Sequence, residues 1–221
     1  MVGVLYLSCV EAIDGLLEPL EPGWFVEFYG VWDLIYLLAH RSVACLSARD
    51  HVYVYVNQLF GGLDPYLLGR LAKILGGDLS RIYFSRGLRL EDLESFSKDS
   101  SYDGYLVVID PYLHADPGSM GFEIYTKITS WIRRIGVSRN VVLFNRITRY
   151  GSQRPEGGGF HHHSVHIMIR ILRKGVGIYG ELIKHPARPS ARAVFSIEDL
   201  YGGGGRWVGR RHLLEWALRA S

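Results

Sequence analysis

Between residues 140 and 175 the chain concentrates side chains that bind anions. Arg146, Arg149 and Arg154 come first, then Gly157, Gly158 and Gly159, then His161, His162 and His163, and finally Arg170, Arg173 and Lys174. Cations spread along a glycine-rich tract suit the repeated phosphates of a nucleic-acid backbone, where each neutralised phosphate releases counterions. The chemistry expected of this stretch is binding rather than bond cleavage. The histidines admit two readings. Imidazoles at i and i+3 share a helix face and could hold a soft cation, but neighbours in a strand point to opposite faces, and no carboxylate or thiol completes a set. A polar loop rim that stacks on bases or hydrogen-bonds a backbone is the expected role.

Two strands position this stretch. Val141, Val142, Leu143 and Phe144 form an apolar run before it, and Val165, Ile167, Ile169 and Ile171 alternate after it. The expected arrangement is strand, long mobile loop, strand, and a loop of this length is seldom kept as a mere connector. Upstream, residues 52–57 (VYVYVN) alternate β-formers, and Asp64, Pro65 and Gly76 bracket a helix. Residues 104–110 read as a buried strand ending in Asp110. Residues 119–136 form a helix with Phe122, Ile124, Ile128, Trp131, Ile132 and Ile135 on its core face and Arg133 and Arg134 as a solvated end. Two more strands are expected in residues 176–200.

At 221 residues the chain fits one domain, and 48% hydrophobic against 21% charged residues exclude a disordered chain. No apolar run is long enough to cross a bilayer and no basic segment leads into a signal-type core, so an intracellular, cytoplasmic protein is expected. Cys9 and Cys45 form no CxxC pair and are expected as buried thiols, neither bridged nor metal-bound. Asn occurs only at 57, 140 and 145 and Gln only at 58 and 153, a depletion of thermolabile amides expected of a thermophile. Residues 1–139 carry 12 Lys and Arg against 17 Asp and Glu, whereas residues 140–221 carry 13 against 5. The basic character lies at the C-terminal end.

The order of these segments resembles the RecA-type recombinases, in particular the archaeal RadA and RadB-like paralogues. Asn145 ends the strand before the tract that matches the family's second DNA-binding loop, and Pro155, Gly157 and Gly158 fall inside it. Arg170, Leu172, Arg173, Lys174 and Gly175 match the strand that leaves that loop, and ELIKHPARPSARAVFSI looks like the last core strands. YLVVIDP, ending past Asp110, resembles the Walker B strand, and the run from Gly23 to Gly30 resembles the strand that feeds the phosphate loop. The resemblance implies an α/β, RecA-like core: a mostly parallel twisted sheet with helices on both faces and an antiparallel C-terminal extension. That core is expected over residues 1–200, with residues 201–221 a glycine linker and a C-terminal amphipathic helix bearing Trp207 and Trp216.

The departures from the family pattern are as informative. Where active relatives place GxxxxGK[ST], Gly30 is followed directly by Val31, Trp32, Asp33 and Leu34, without the lysine, the hydroxyl or the run of backbone N–H groups that hold phosphates and Mg²⁺. Asp33 is expected to cap the following helix and repel an anion, and Trp32 to be a core or interface aromatic. The stretch from Asn57 to Gly62 lacks the family's catalytic glutamate. Arg146 replaces the glutamine that senses the γ-phosphate, and is either a phosphate contact or half of an ion pair. Gly30 and Asp110 are therefore expected to mark a vestigial nucleotide site, with no catalytic residue, no metal and no cofactor, the ATP and Mg²⁺ of active relatives being absent.

The function expected is that of a non-catalytic recombinase paralogue, an accessory in homologous recombination or DNA repair. It would bind single-stranded DNA through residues 146–163 with Arg170, Arg173 and Lys174, and pair with a recombinase-like subunit or a second copy. Two alternatives stay open: an ATPase in which Asp110 holds Mg²⁺ and Arg41 or a neighbouring protomer supplies the missing cation, and a structural partner subunit that never touches DNA.

Overall fold

Apolar runs buried on both faces are what central parallel strands require. In the computed structural model, which describes residues 6–57, 62–99, 101–136, 139–148, 153–175 and 177–202, these runs become neighbours in one sheet. Its strands are β1 (Phe25–Gly30), β2 (Val52–Asn57), β3 (Ile82–Gly87), β4 (Tyr105–Ile109), β5 (Val141–Arg146), β6 (Ile167–Lys174), β7 (Gly177–Lys184) and β8 (Ala191–Phe195). They lie in the order β3-β2-β4-β5-β1-β6-β7-β8. Pairings from β3 through β6 are parallel, and β6-β7 and β7-β8 are antiparallel, as expected.

The helices are α1 (Glu11–Leu17), α2 (Trp32–Ser47), α3 (Pro65–Leu75), α4 (Leu90–Lys98), α5 (Pro117–Met120), α6 (Glu123–Ile135), α7 (Gly158–Ser164) and α8 (Ile197–Tyr201). Leu34, Ile35 and Leu38 of α2 and Leu67 and Leu71 of α3 pack with Val26, Phe28, Val54 and Ile109 on one face. Leu93 and Phe96 of α4 and Ile128, Trp131 and Ile132 of α6 pack with Phe25, Tyr29, Leu106 and Leu143 on the other. The connections from β1 to β3 travel one way along the sheet and those from β3 to β5 travel back, so right-handed crossovers place their helices on opposite faces. The chain leaves β1 toward one face and β4 toward the other, so the switch-point crevice where such sheets bind ligands falls at the carboxyl ends of β1, β5 and β4.

Local signals behave as their chemistry requires. The Asp64 carboxylate accepts from Tyr66 and Leu67 N–H at 2.9 and 3.3 Å, and Gly76 ends α3 in the left-handed conformation. Three expectations are corrected. Phe122, expected on the core face, is 69% exposed because it precedes the first turn of α6. The end of the expected mobile loop, Gly158–Ser164, is ordered as α7. Cys9 and Cys45 form a disulfide, their Cα atoms 5.8 Å apart, because the end of α2 folds back on the segment before α1, where Arg49 Nη1 also bonds the Tyr6 carbonyl at 3.1 Å. The glycine linker beyond Gly202 and the C-terminal helix lie outside the described residues, as do Gln58 to Gly61. No helix among the described residues is long and apolar enough to cross a membrane.

Candidate functional site

β1 passes into α2 through Val31 alone. The Val31 N–H donates to the Ile171 carbonyl of β6 at 3.3 Å, and a Cβ on Gly30, at φ +152°, would lie 2.0 Å from that oxygen. Only glycine fits, and the turn is pressed against a neighbouring strand with no backbone loop left to surround a phosphate. Asp33 does not cap α2, correcting the expectation: Val31 is the cap residue without a side-chain bond, and Asp33 Oδ2 instead faces Arg173 Nη2 at 3.4 Å.

At the carboxyl end of β4, Asp110 adopts φ +54° and is 1% exposed. Arg146, at the end of β5, donates Nε–H to Asp110 Oδ2 at 2.6 Å, and its guanidinium carbon lies 3.9 Å from the centre of the Trp32 ring. Trp32 opens α2, so three elements meet in the crevice in a charge-assisted hydrogen bond backed by a cation–π contact. Burial pushes the Asp110 carboxyl above its ordinary range, and the Arg146 charge opposes that shift. Of the two roles open for Arg146, the structure realises the ion pair.

Beneath this pair lies a buried polar network. Asn145 donates Nδ2–H to Glu27 Oε1 and to the Glu156 carbonyl, both at 2.8 Å. Glu27 Oε1 also lies 2.7 Å from His161 Nε2, whose Nδ1 is 2.9 Å from the Tyr112 hydroxyl. Tyr112 is in turn 2.8 Å from Thr129 Oγ1, which donates to the Tyr125 carbonyl at 2.7 Å. Every contact is satisfied only if protons run one way along the chain. Thr129 gives its single proton to the carbonyl, so Tyr112 donates to Thr129 and His161 donates from Nδ1 to Tyr112. The Glu27–His161 pair therefore holds two protons, as an imidazolium beside a carboxylate or as the neutral pair.

This network anchors the tract. Ile147 bridges to Pro155, the Glu156 N–H donates to the Arg146 carbonyl at 3.0 Å, and Tyr125 bonds the Glu156 carboxylate. His161 is thus no part of a polar rim, since it is 1% exposed with both nitrogens engaged. His162 is half-buried and His163 exposed. Lys184 of β7 donates to the His162 carbonyl at 2.7 Å and to the Val165 carbonyl, closing the end of α7.

The remaining cations divide. Arg170 bonds Glu181 at 3.0 Å through Nε and Gln153 at 2.6 Å through Nη1, and Arg192 reaches the same Glu181 at 2.5 Å. With Arg146 on Asp110 and Arg173 near Asp33, three expected anion contacts already face acids. Arg154, Gly158, Gly159 and Lys174 are exposed, Gly157 is packed over the Tyr112 ring, and Arg149 lies outside the described residues. Arg41 is buried and bonds the carbonyls of Cys9 and Leu200 at 2.5 and 3.4 Å, which commits it away from any nucleotide. Glu27, Tyr112, Tyr125 and Glu156 were not foreseen as site residues. The available signal was Glu27, a lone carboxylate inside the apolar run FVEFYG, where burial demands a partner.

No family model matches this chain, and no curated protein matches it in sequence. The solved crystal structure of the RadB recombinase is similar at a TM-score of 0.69, over 88% of this chain and 97% of that one, with 21% identical residues. That likeness shows the fold, a RecA-like core.

Proposed function

We propose that this chain is a non-catalytic relative of the RecA-like recombinases that serves as an accessory in homologous recombination or DNA repair, binding single-stranded DNA and a recombinase-like subunit. The observation that carries this reading is the Arg146–Asp110 pair seated on Trp32, because the protein's own side chains fill the crevice where the fold would hold a nucleotide. The single-residue turn at Val31 supports it. The DNA contact is assigned to Arg149, Arg154, Lys174 and the exposed edge of α7, with little base specificity and a steep dependence on salt. A cytoplasmic home at high temperature accords with a disulfide in a chain poor in amides.

The test is fluorescence anisotropy of a labelled single strand at rising salt, for the wild-type chain and for Arg149→Ala/Arg154→Ala. Affinity should fall steeply with salt and drop several-fold in the variant. Affinity insensitive to both would sink the assignment. One observation favours a second reading, the structural subunit without DNA contact: Arg146, Arg170 and Arg173 are partnered by Asp110, Glu181 and Asp33. That reading predicts a stable complex with a recombinase core and no retention of the labelled strand.

A further inference from the structure

At the amino ends of β1 and β6, the edge of the sheet opposite the crevice, α6 and α7 flank a cleft of about 630 Å³ whose lining includes Arg133, Arg134, Phe160, His163 and His166. We propose that this cleft binds a phosphate group, held by Arg133, Arg134 and His163. Among the described residues no carboxylate lines it. Arg133 lies over the Phe160 ring at 5.8 Å, with no acid paired to it among the described residues. The His166 Nδ1 accepts from the Phe25 N–H at 3.0 Å, so the proton of the neutral ring sits on Nε2, and the ring stacks on Trp24. The nearby serines spend their hydroxyl protons on helix carbonyls, Ser130 on Lys127 at 2.7 Å and Ser164 on Phe160 at 2.8 Å, which leaves recognition to the cations.

Arginines in the last turn of a helix often only complement its dipole. Here both helix ends are already served: Gly136 N–H closes α6 onto the Ile132 and Arg133 carbonyls at 3.2 Å each, and Lys184 closes α7. The local field is positive, since His166 in the lining is pushed down by burial, then by Lys184 and Arg133. A bound dianion relieves that repulsion. The same chemistry is offered by a free nucleotide and by the terminal phosphate of a strand.

The test titrates the full chain at constant ionic strength with inorganic phosphate, a nucleoside 5′-monophosphate, and a short single strand with or without a 5′-phosphate, following amide resonances of residues 130–136 and 160–166. Saturable shifts are expected, weakened roughly tenfold in Arg133→Gln/Arg134→Gln and in His163→Gln, all exposed positions that leave the core intact. A preference for the 5′-phosphorylated strand identifies a strand end, and equal response to the mononucleotide identifies a free one. Absence of saturation by every probe, or full binding by both variants, overturns the proposal. Arg149→Ala/Arg154→Ala should weaken retention of the strands while inorganic phosphate and the mononucleotide still saturate the cleft, so failure of the DNA assignment and failure of the cleft are separable.

Discussion

Arg146 and Asp110, which end neighbouring strands β5 and β4, are joined by a 2.6 Å hydrogen bond from guanidinium to carboxylate. In the crevice each is the other's partner. Replacing Arg146 by Gln leaves a 1% exposed carboxylate uncompensated. Because Arg146 is itself partly solvated, the expected loss is about 1–3 kcal/mol rather than the full cost of breaking a buried pair. The double variant Arg146→Gln/Asp110→Asn should lose less than the two single changes together, as read from urea midpoints at constant slope.

The buried chain from Glu27 through His161, Tyr112 and Thr129 fixes the entry to α7. Glu27→Gln replaces the acid by an amide of the same shape and should cost about 1–3 kcal/mol, with faster amide exchange across residues 153–164. Nitrogen NMR should find His161 carrying a proton on Nδ1. Exchange confined to the chain termini in the variant would show that the network does not hold the tract.

His40 gives a pH dependence of definite sign. Its Nδ1 donates to the Tyr36 carbonyl at 2.7 Å and its Nε2 accepts from the Asp64 N–H at 2.7 Å, an arrangement that needs the neutral ring, and burial lowers its pKa to about 4. Between that value and the ordinary 6.5 the unfolded chain binds the extra proton, so stability rises with pH across this window, by about 3 kcal/mol. His162 and His166 shift the same way, while Asp14 and Asp110, raised by burial, oppose the rise just above their ordinary values. Unfolding curves at several pH values should show the slope, and His40→Gln should flatten it.

The disulfide ties residues 36 apart. Closing a loop of that length restricts the unfolded chain by about 4 kcal/mol, so reduction, or Cys9→Ser/Cys45→Ser, should lower stability by about 2–4 kcal/mol. An unchanged melting temperature under reductant would contradict the linkage.

Much of the architecture was readable from residue patterns. The runs around Val54, Val107 and Val142 are apolar on both faces, which specifies central parallel strands, and Asp64, Pro65 and Gly76 specify the ends of α3. What stayed hidden was pairing across long separations. Glu27 meets His161 over 134 residues, and Cys9 meets Cys45 only because α2 folds back. α7 carries two glycines and three histidines in seven residues and has weak helical propensity, so tertiary bonds from Glu27 and Lys184 decide its state. The cations were located correctly in sequence, but their acidic partners were contributed by distant strands and helices.

Arg146, Asp110 and Trp32 together close the crevice, and isothermal titration of the full chain with Mg²⁺-ATP probes that closure. With those side chains in place, no saturable heat and no phosphate release are expected. A stoichiometric binding isotherm, with turnover and a nucleotide seated at the turn between Gly30 and Trp32, would contradict it.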